Sequence, residues 1–247
     1  MLSSFRSMRI ESVIFRSVRT LALTLAAAAL LPHLVWGVDT NAPPHARWEK
    51  NIAAYEAADR TNPPPKDAVV FIGSSSIAFW KTAPEQFPNH RVIMRGFGGS
   101  HLSDSVAFVH RIVIPYQPRL VLIYAGDNDI YTGKTPERVL ADFQEFVEKI
   151  HAALPETRIG YISIKPSPSR MKDFERFKTT NQLIRDYIAP RPKLLYVDVF
   201  TPTLGSDGEP RADLFVRDML HLNEAGYKLW AGIIQPVLDE VFAPAAK

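Results

Sequence analysis

Five short apolar runs, separated by helical patterns, constrain this chain more than any other feature. Ala68-Val-Val-Phe-Ile72 is the first. No residue in it is polar, so neither face of such a strand can meet water. Arg91–Met94, Arg119–Tyr124, Arg158–Ile164 and Lys193–Asp198 follow. Between them lie helical spacings at Leu102–Ile112, from Thr135-Pro136-Glu137 to about Leu154, at Phe174–Ile188, and at Asn223–Val241. Thr135 and Asn223 stand where cap residues belong, and Pro136 suits a first helical turn. Trp48, Ile52 and Tyr55 mark an earlier helix, from Ala46 to Asp59, cut off by Asn62-Pro-Pro-Pro65. Strand alternating with helix predicts an α/β fold, a parallel sheet covered by helices on both faces. In such a sheet, function gathers at the carboxyl ends of the strands.

The N-terminal residues follow another logic. Arg6, Arg9, Arg16 and Arg19 precede an apolar run from Leu21 to Leu31, with Val35 and Gly37 at small-residue positions. This predicts a signal peptide over 1–37 and an exported chain, periplasmic or secreted. The apolar run is short of the roughly 20 residues that cross a bilayer. No membrane span is expected in the mature chain. Residues 38–66 are expected to be a linker and helix, and 67–247 one domain. The leader also explains the charge. The whole chain has a formal net charge of +3, and the leader's four arginines against Glu11 carry all of that excess. The remainder is formally neutral, so no nucleic-acid partner is expected. The absence of cysteine excludes a disulfide framework, an iron–sulfur centre and a thiolate zinc site.

Polar residues cluster after the runs. Gly73-Ser74-Ser75-Ser76 follows the first, Gly96-Phe97-Gly98-Gly99-Ser100 the second, and Gly126-Asp127-Asn128-Asp129 the third. Asp218-Met219-Leu220-His221 stands just before the last helix. Each set alone reads as turn chemistry. Together they hold what acyl transfer needs. A serine hydroxyl is a poor nucleophile until an imidazole takes its proton, and His221 can take it from Ser75. Asp218 is near enough to fix the tautomer of His221. The N–H groups of Ser75 and Gly99 and the amide of Asn128 can face an oxyanion.

Phe71-Ile-Gly-Ser-Ser-Ser-Ile-Ala-Phe-Trp80, Arg95–Ser100, Gly126–Asp129 and Asp218–Gly226 resemble the four sequence blocks of the SGNH (GDSL) hydrolases. Order and approximate spacing match, over residues 68 to about 240. The resemblance implies a flavodoxin-like fold with five parallel strands. It implies a serine esterase or acylhydrolase that cleaves carboxylic esters through an acyl-enzyme. It implies Ser75 as nucleophile, Gly99 and Asn128 as oxyanion donors, and the Asp218/His221 pair. One position departs from the pattern. The family's Gly-Asp-Ser has its Asp replaced by Ser74 here, which leaves Ser75 or Ser76 as nucleophile. Counting from Gly73 to Trp80 favours Ser75.

Other motifs fail on inspection. His101 stands where a dinucleotide fingerprint needs glycine, and Asn128 where a P-loop needs its first glycine. No Gly-x-Ser-x-Gly elbow occurs. His101 and His110 lack metal-ligand spacing and read as surface or helix residues. No cofactor or metal is expected. The rival reading is a binding module without hydrolytic activity, either a carbohydrate binder or a phosphate or flavin carrier whose serine loop cradles the phosphate. The expected substrate is an ester of a small molecule, a polysaccharide or a lipid. Loops 131–134, 166–172 and 201–217 are the candidates to shape its pocket.

Overall fold

The structure, a computed structural model, describes residues 45–244. The expected leader and the linker up to Pro44 lie outside the described residues. A 3-10 turn at Ala46–Trp48 leads into α1 (Glu49–Thr61). Next come β1 (Val69–Gly73), α2 (Ser75–Ala78), α3 (Ala83–Gln86), β2 (Val92–Gly96) and α4 (Leu102–Ile112). They are followed by β3 (Leu120–Tyr124), α5 (Asp127–Tyr131), α6 (Pro136–Ala153), β4 (Arg158–Ile162) and α7 (Phe174–Ile188). The chain closes with β5 (Leu194–Val197), α8 (Phe200–Thr203) and α9 (Glu224–Phe242).

The five strands form one parallel sheet in the order β2-β1-β3-β4-β5. Its two faces divide each apolar run by parity. Val70, Ile72, Val121, Ile123 and Ile159 pack with α4, α6 and α7. Val69, Phe71, Leu120 and Leu122 pack on the other side, with Trp80, Trp230 and Ile234. Burying one such side chain is worth about 1.5–3 kcal/mol, on either face, which is why the runs show no alternation.

Most expected boundaries hold within a residue or two. β4 ends earlier than the apolar run, at Ile162. Ser163 N still donates to Val197 O, and beyond it side chains take part in the pairing. Ser163 Oγ accepts from the N–H groups of Val199 and Phe200, and Asn181 bonds both polar backbone groups of Ile164. The caps form as the sequence predicts. Thr135 Oγ1 accepts from Arg138 N at 3.2 Å, and Asn223 Oδ1 from Gly226 N at 3.0 Å.

α1 buries Ile52 in the core beside α4. Charge adds to this: the Arg111 guanidinium of α4 meets Glu49 and Glu56, and Arg95 of β2 meets Asp59. The chain runs outward from β1 to β2, then crosses back to β3 on the far side of β1. That reversal opens a crevice between the carboxyl ends of β1 and β3.

Candidate active site

Ser75 opens α2 directly after β1. Glycine at 96 allows this helix to sit on the end of β2, because a Cβ there would lie 2.2 Å from Ala78 N. Of the three consecutive serines, Ser74 and Ser76 are each 2% exposed, whereas Ser75 is half-buried. The serine loop therefore offers one hydroxyl outward. A phosphate cradle built from all three has no support in this geometry.

α2 is bolted to the start of α9. Trp80 stacks on Tyr227 at 5.3 Å and meets Trp230 edge-on at 5.9 Å. The Tyr227 hydroxyl donates to Ser76 O at 3.0 Å. The loop ahead of α9 is a narrow hairpin, with Phe215 bridged to Leu222 and Val216 N donating to His221 O at 2.9 Å. Asp218 and His221 sit at its tip. Asp218 Oδ1 accepts from the N–H groups of Leu220 and His221, each at 2.9 Å. Its Oδ2 lies 2.6 Å from His221 Nδ1, and His221 Nε2 lies 3.0 Å from Ser75 Oγ.

Burial works to raise the Asp218 carboxyl, but the bonds from the His221 ring and the two N–H groups outweigh it and hold it at about 2. Met219 takes a left-handed φ of 56°, a conformation with a cost for any side chain. Ser169 secures that turn, donating to Met219 O from both its N–H and its hydroxyl. Phe79, 53% exposed, meets the His221 ring edge-on at 4.9 Å.

Gly99 has a φ of 78°, which glycine adopts without penalty. Among the described residues, no acceptor takes the N–H of Ser75 or of Gly99. Asn128 is the second residue of α5. Its Nδ2 donates to Ser100 O at 3.1 Å, which ties the end of β3 to the glycine loop. Asp129 makes a second tie, accepting from Leu102 N at 3.0 Å and from Lys134 Nζ at 2.8 Å. Ser75, Gly99, Asn128, Asp218 and His221 thus come from four loops at one end of the sheet. His101 caps α4, its backbone N–H donating to Asp104, and His110 is exposed.

Behind Asn128 the structure gathers three charged residues, of which the sequence points only to Asp127, as part of its block, and to the loop that holds Arg170, without a role for either. Asp127 ion-pairs with Arg170, and Arg170 Nη2 donates to Asn128 Oδ1 at 3.1 Å. Lys165 Nζ lies 3.4 Å from Asp127 Oδ2, which also accepts from the Tyr124 hydroxyl at 3.1 Å. All three charged side chains are buried. Burial pushes the Lys165 ammonium down to about 7, against the opposing charge of Asp218. The signal that could have found Lys165 is its place just past the fourth apolar run. A lysine in that place also reads as a solvated turn residue, and the sequence does not separate the two.

The loops divide in role. Residues Pro168–Asp173 form a 3-10 turn that sends Arg170 to Asn128 and Ser169 to Met219. Tyr131 is exposed beside Arg170. Of residues 201–217, only the last few reach the site, while the bridge between Leu204 and Pro210 closes an outlying turn.

A family model, GDSL-like Lipase/Acylhydrolase, matches residues 73–229. Solved structures share the architecture. A GDSL-like lipase from Bacteroides thetaiotaomicron is 21% identical with a TM-score of 0.65, covering 81% of this chain and 98% of its own. A candidate acylhydrolase from Bacteroides fragilis is 24% identical with a TM-score of 0.68, covering 77% and 96%. A candidate platelet activating factor from Streptococcus pneumonia is 20% identical with a TM-score of 0.69, covering 77% and 92%. At these identities the likeness is one of fold. No curated protein matches the chain.

Proposed function

The chain belongs to the GDSL-like lipase/acylhydrolase family, a family of ester hydrolases, and on that premise we propose that it is a serine esterase working through an acyl-enzyme. The observation that carries this is the unbroken line from Asp218 Oδ2 through His221 to Ser75 Oγ, with contacts of 2.6 and 3.0 Å. In the proposed reaction His221 Nε2 takes the Ser75 proton as Oγ attacks the ester carbonyl. The oxyanion faces the N–H groups of Ser75 and Gly99 and the free Nδ2–H of Asn128. Collapse of the tetrahedral adduct expels the alcohol, which leaves with the proton from His221. Water then repeats the sequence on the acyl-enzyme and releases the acid. Asp218 stays ionised throughout, holding the Nδ1–H tautomer and balancing the imidazolium.

A fluorophosphonate probe tests the nucleophile. The adduct is expected on Ser75 and should vanish in His221→Ala. An adduct on Ser76, or none, would overturn the assignment. The proposed substrate is an ester of a small molecule, a polysaccharide or a lipid, and an acyl-chain series that includes sugar acetates sorts these classes. The arginine-flanked apolar run of residues 1–37 supports export as part of the same proposal. N-terminal sequencing of the protein recovered from the periplasm or medium should begin near Val38. Recovery of full-length chain from the cytoplasm alone would reject export.

A further inference from the structure

We propose that Arg170 is a positioning residue for Asn128, fixing which end of its amide faces the reacting ester. The proposal rests on the reading of Asn128 as an oxyanion donor. A side-chain amide has two ends of nearly the same shape, and only its nitrogen end can serve an oxyanion. Two neighbours decide the orientation here. Arg170 can only donate, so the end it meets at 3.1 Å must be Oδ1. The carbonyl of Ser100 can only accept, so it takes one hydrogen of Nδ2 at 3.1 Å. The second Nδ2 hydrogen is left for the substrate. The guanidinium also draws electron density from Oδ1, which makes the opposite N–H a stronger donor.

The surroundings hold Arg170 in that pose. It is buried, and a buried guanidinium persists only beside a counter-charge. Asp127, the residue before Asn128, supplies it. Asp127 is held in turn by the Tyr124 hydroxyl and by Lys165, whose ammonium lies 5.7 Å from the ring centres of both Tyr124 and Phe215. On its outer side the guanidinium lies 4.2 Å from the centre of the Tyr131 ring, which covers it and fixes its plane. A fork is needed for this task. One planar group spans Asp127 and Asn128 together, which a single ammonium cannot do.

The test is a double-mutant cycle on p-nitrophenyl acetate, with kcat counted per site titrated by fluorophosphonate. Asn128→Ala should lower kcat by about 10²- to 10³-fold, the loss of one oxyanion donor. Arg170→Met should lower kcat by about 10- to 100-fold with KM within about two-fold, a positioning defect. The double variant should be no slower than Asn128→Ala alone, since Arg170 acts through that amide. Arg170→Lys keeps a cation beside Asp127. It should melt close to the wild type yet lose most of the same kcat, and it carries the cycle if Arg170→Met does not fold. Losses that multiply in the double variant would overturn the proposal and leave the reading of Asn128 intact. So would full kcat per titrated site in both Arg170 variants. Unchanged kcat in Asn128→Ala would overturn the oxyanion reading itself, and the positioning role with it.

Discussion

Two carboxylates at this site do similar work in opposite surroundings. Asp218 holds His221 from three positions away, and its side chain is 48% exposed. Asp127 holds Arg170, which holds Asn128, and its side chain is 6% exposed. An exposed ion pair contributes little to stability, because water can replace either partner. A buried group of charges behaves differently, since removing one strands the others without solvent. The half of the site built around Asp218 should therefore be editable with little cost to the fold. The half built around Asp127 should not.

The largest expected effect falls on the exposed half. Ser75→Ala and His221→Ala should each lower kcat by about 10⁴- to 10⁶-fold, measured on p-nitrophenyl acetate. Asp218→Asn comes next, with a loss on the order of 10⁴-fold from the wrong imidazole tautomer. All three should shift the melting temperature by no more than about 2 °C. A larger shift would break the comparison, because it would make the triad a structural element.

The buried half reverses the ratio. Asp127→Ala should cost about 3–5 kcal/mol of unfolding free energy in a urea titration. A loss under about 1 kcal/mol would show that water reaches this cluster, in the manner of an exposed pair. Lys165 adds a pH signature. Its folded pKa of about 7 lies below the unfolded value of roughly 10.4. Between those values the unfolded chain binds more protons, so stability should rise with pH through that window. Lys165→Met should flatten the rise, and an unchanged slope would show that the ammonium is solvated. The smallest effect belongs to Asp218. Its carboxyl is held at about 2, below the roughly 3.9 of an unfolded chain. Its contribution is present above about pH 4 and is lost as pH falls toward 2. Exposure screens it, so Asp218→Asn should change the acid arm of the stability curve only slightly.

The same contrast explains what was legible in the sequence. Asp218 and His221 were readable because both ends of their contact lie within one short motif. The strands were readable because a position buried on both faces must be apolar at every residue. The capping of α6 and α9 was readable for a similar reason, since a cap bonds its own next turn. Arg170 was not readable. Its partner lies 42 positions away, and although loop 166–172 is a candidate to border the pocket, nothing in its residues says that Arg170 turns inward to Asn128 rather than out to solvent. Ser75 and Ser76 could not be told apart by residue type alone. Packing separates them, with Ser76 held inward under Tyr227 and Ser75 left beside His221.

The sequence by itself determined the α/β class, the strands, the local Asp–His pair and the glycines of the loop after β2. These depend on hydrophobic periodicity and on contacts between near neighbours. Only the tertiary structure decided the strand order, which sets β1 beside β3 and brings Ser75 to a histidine 146 positions away. It alone also decided which charges would be buried together behind Asn128. Such contacts arise from how whole faces of a sheet pack, and a buried charge is tolerated only where folding has already placed its partner.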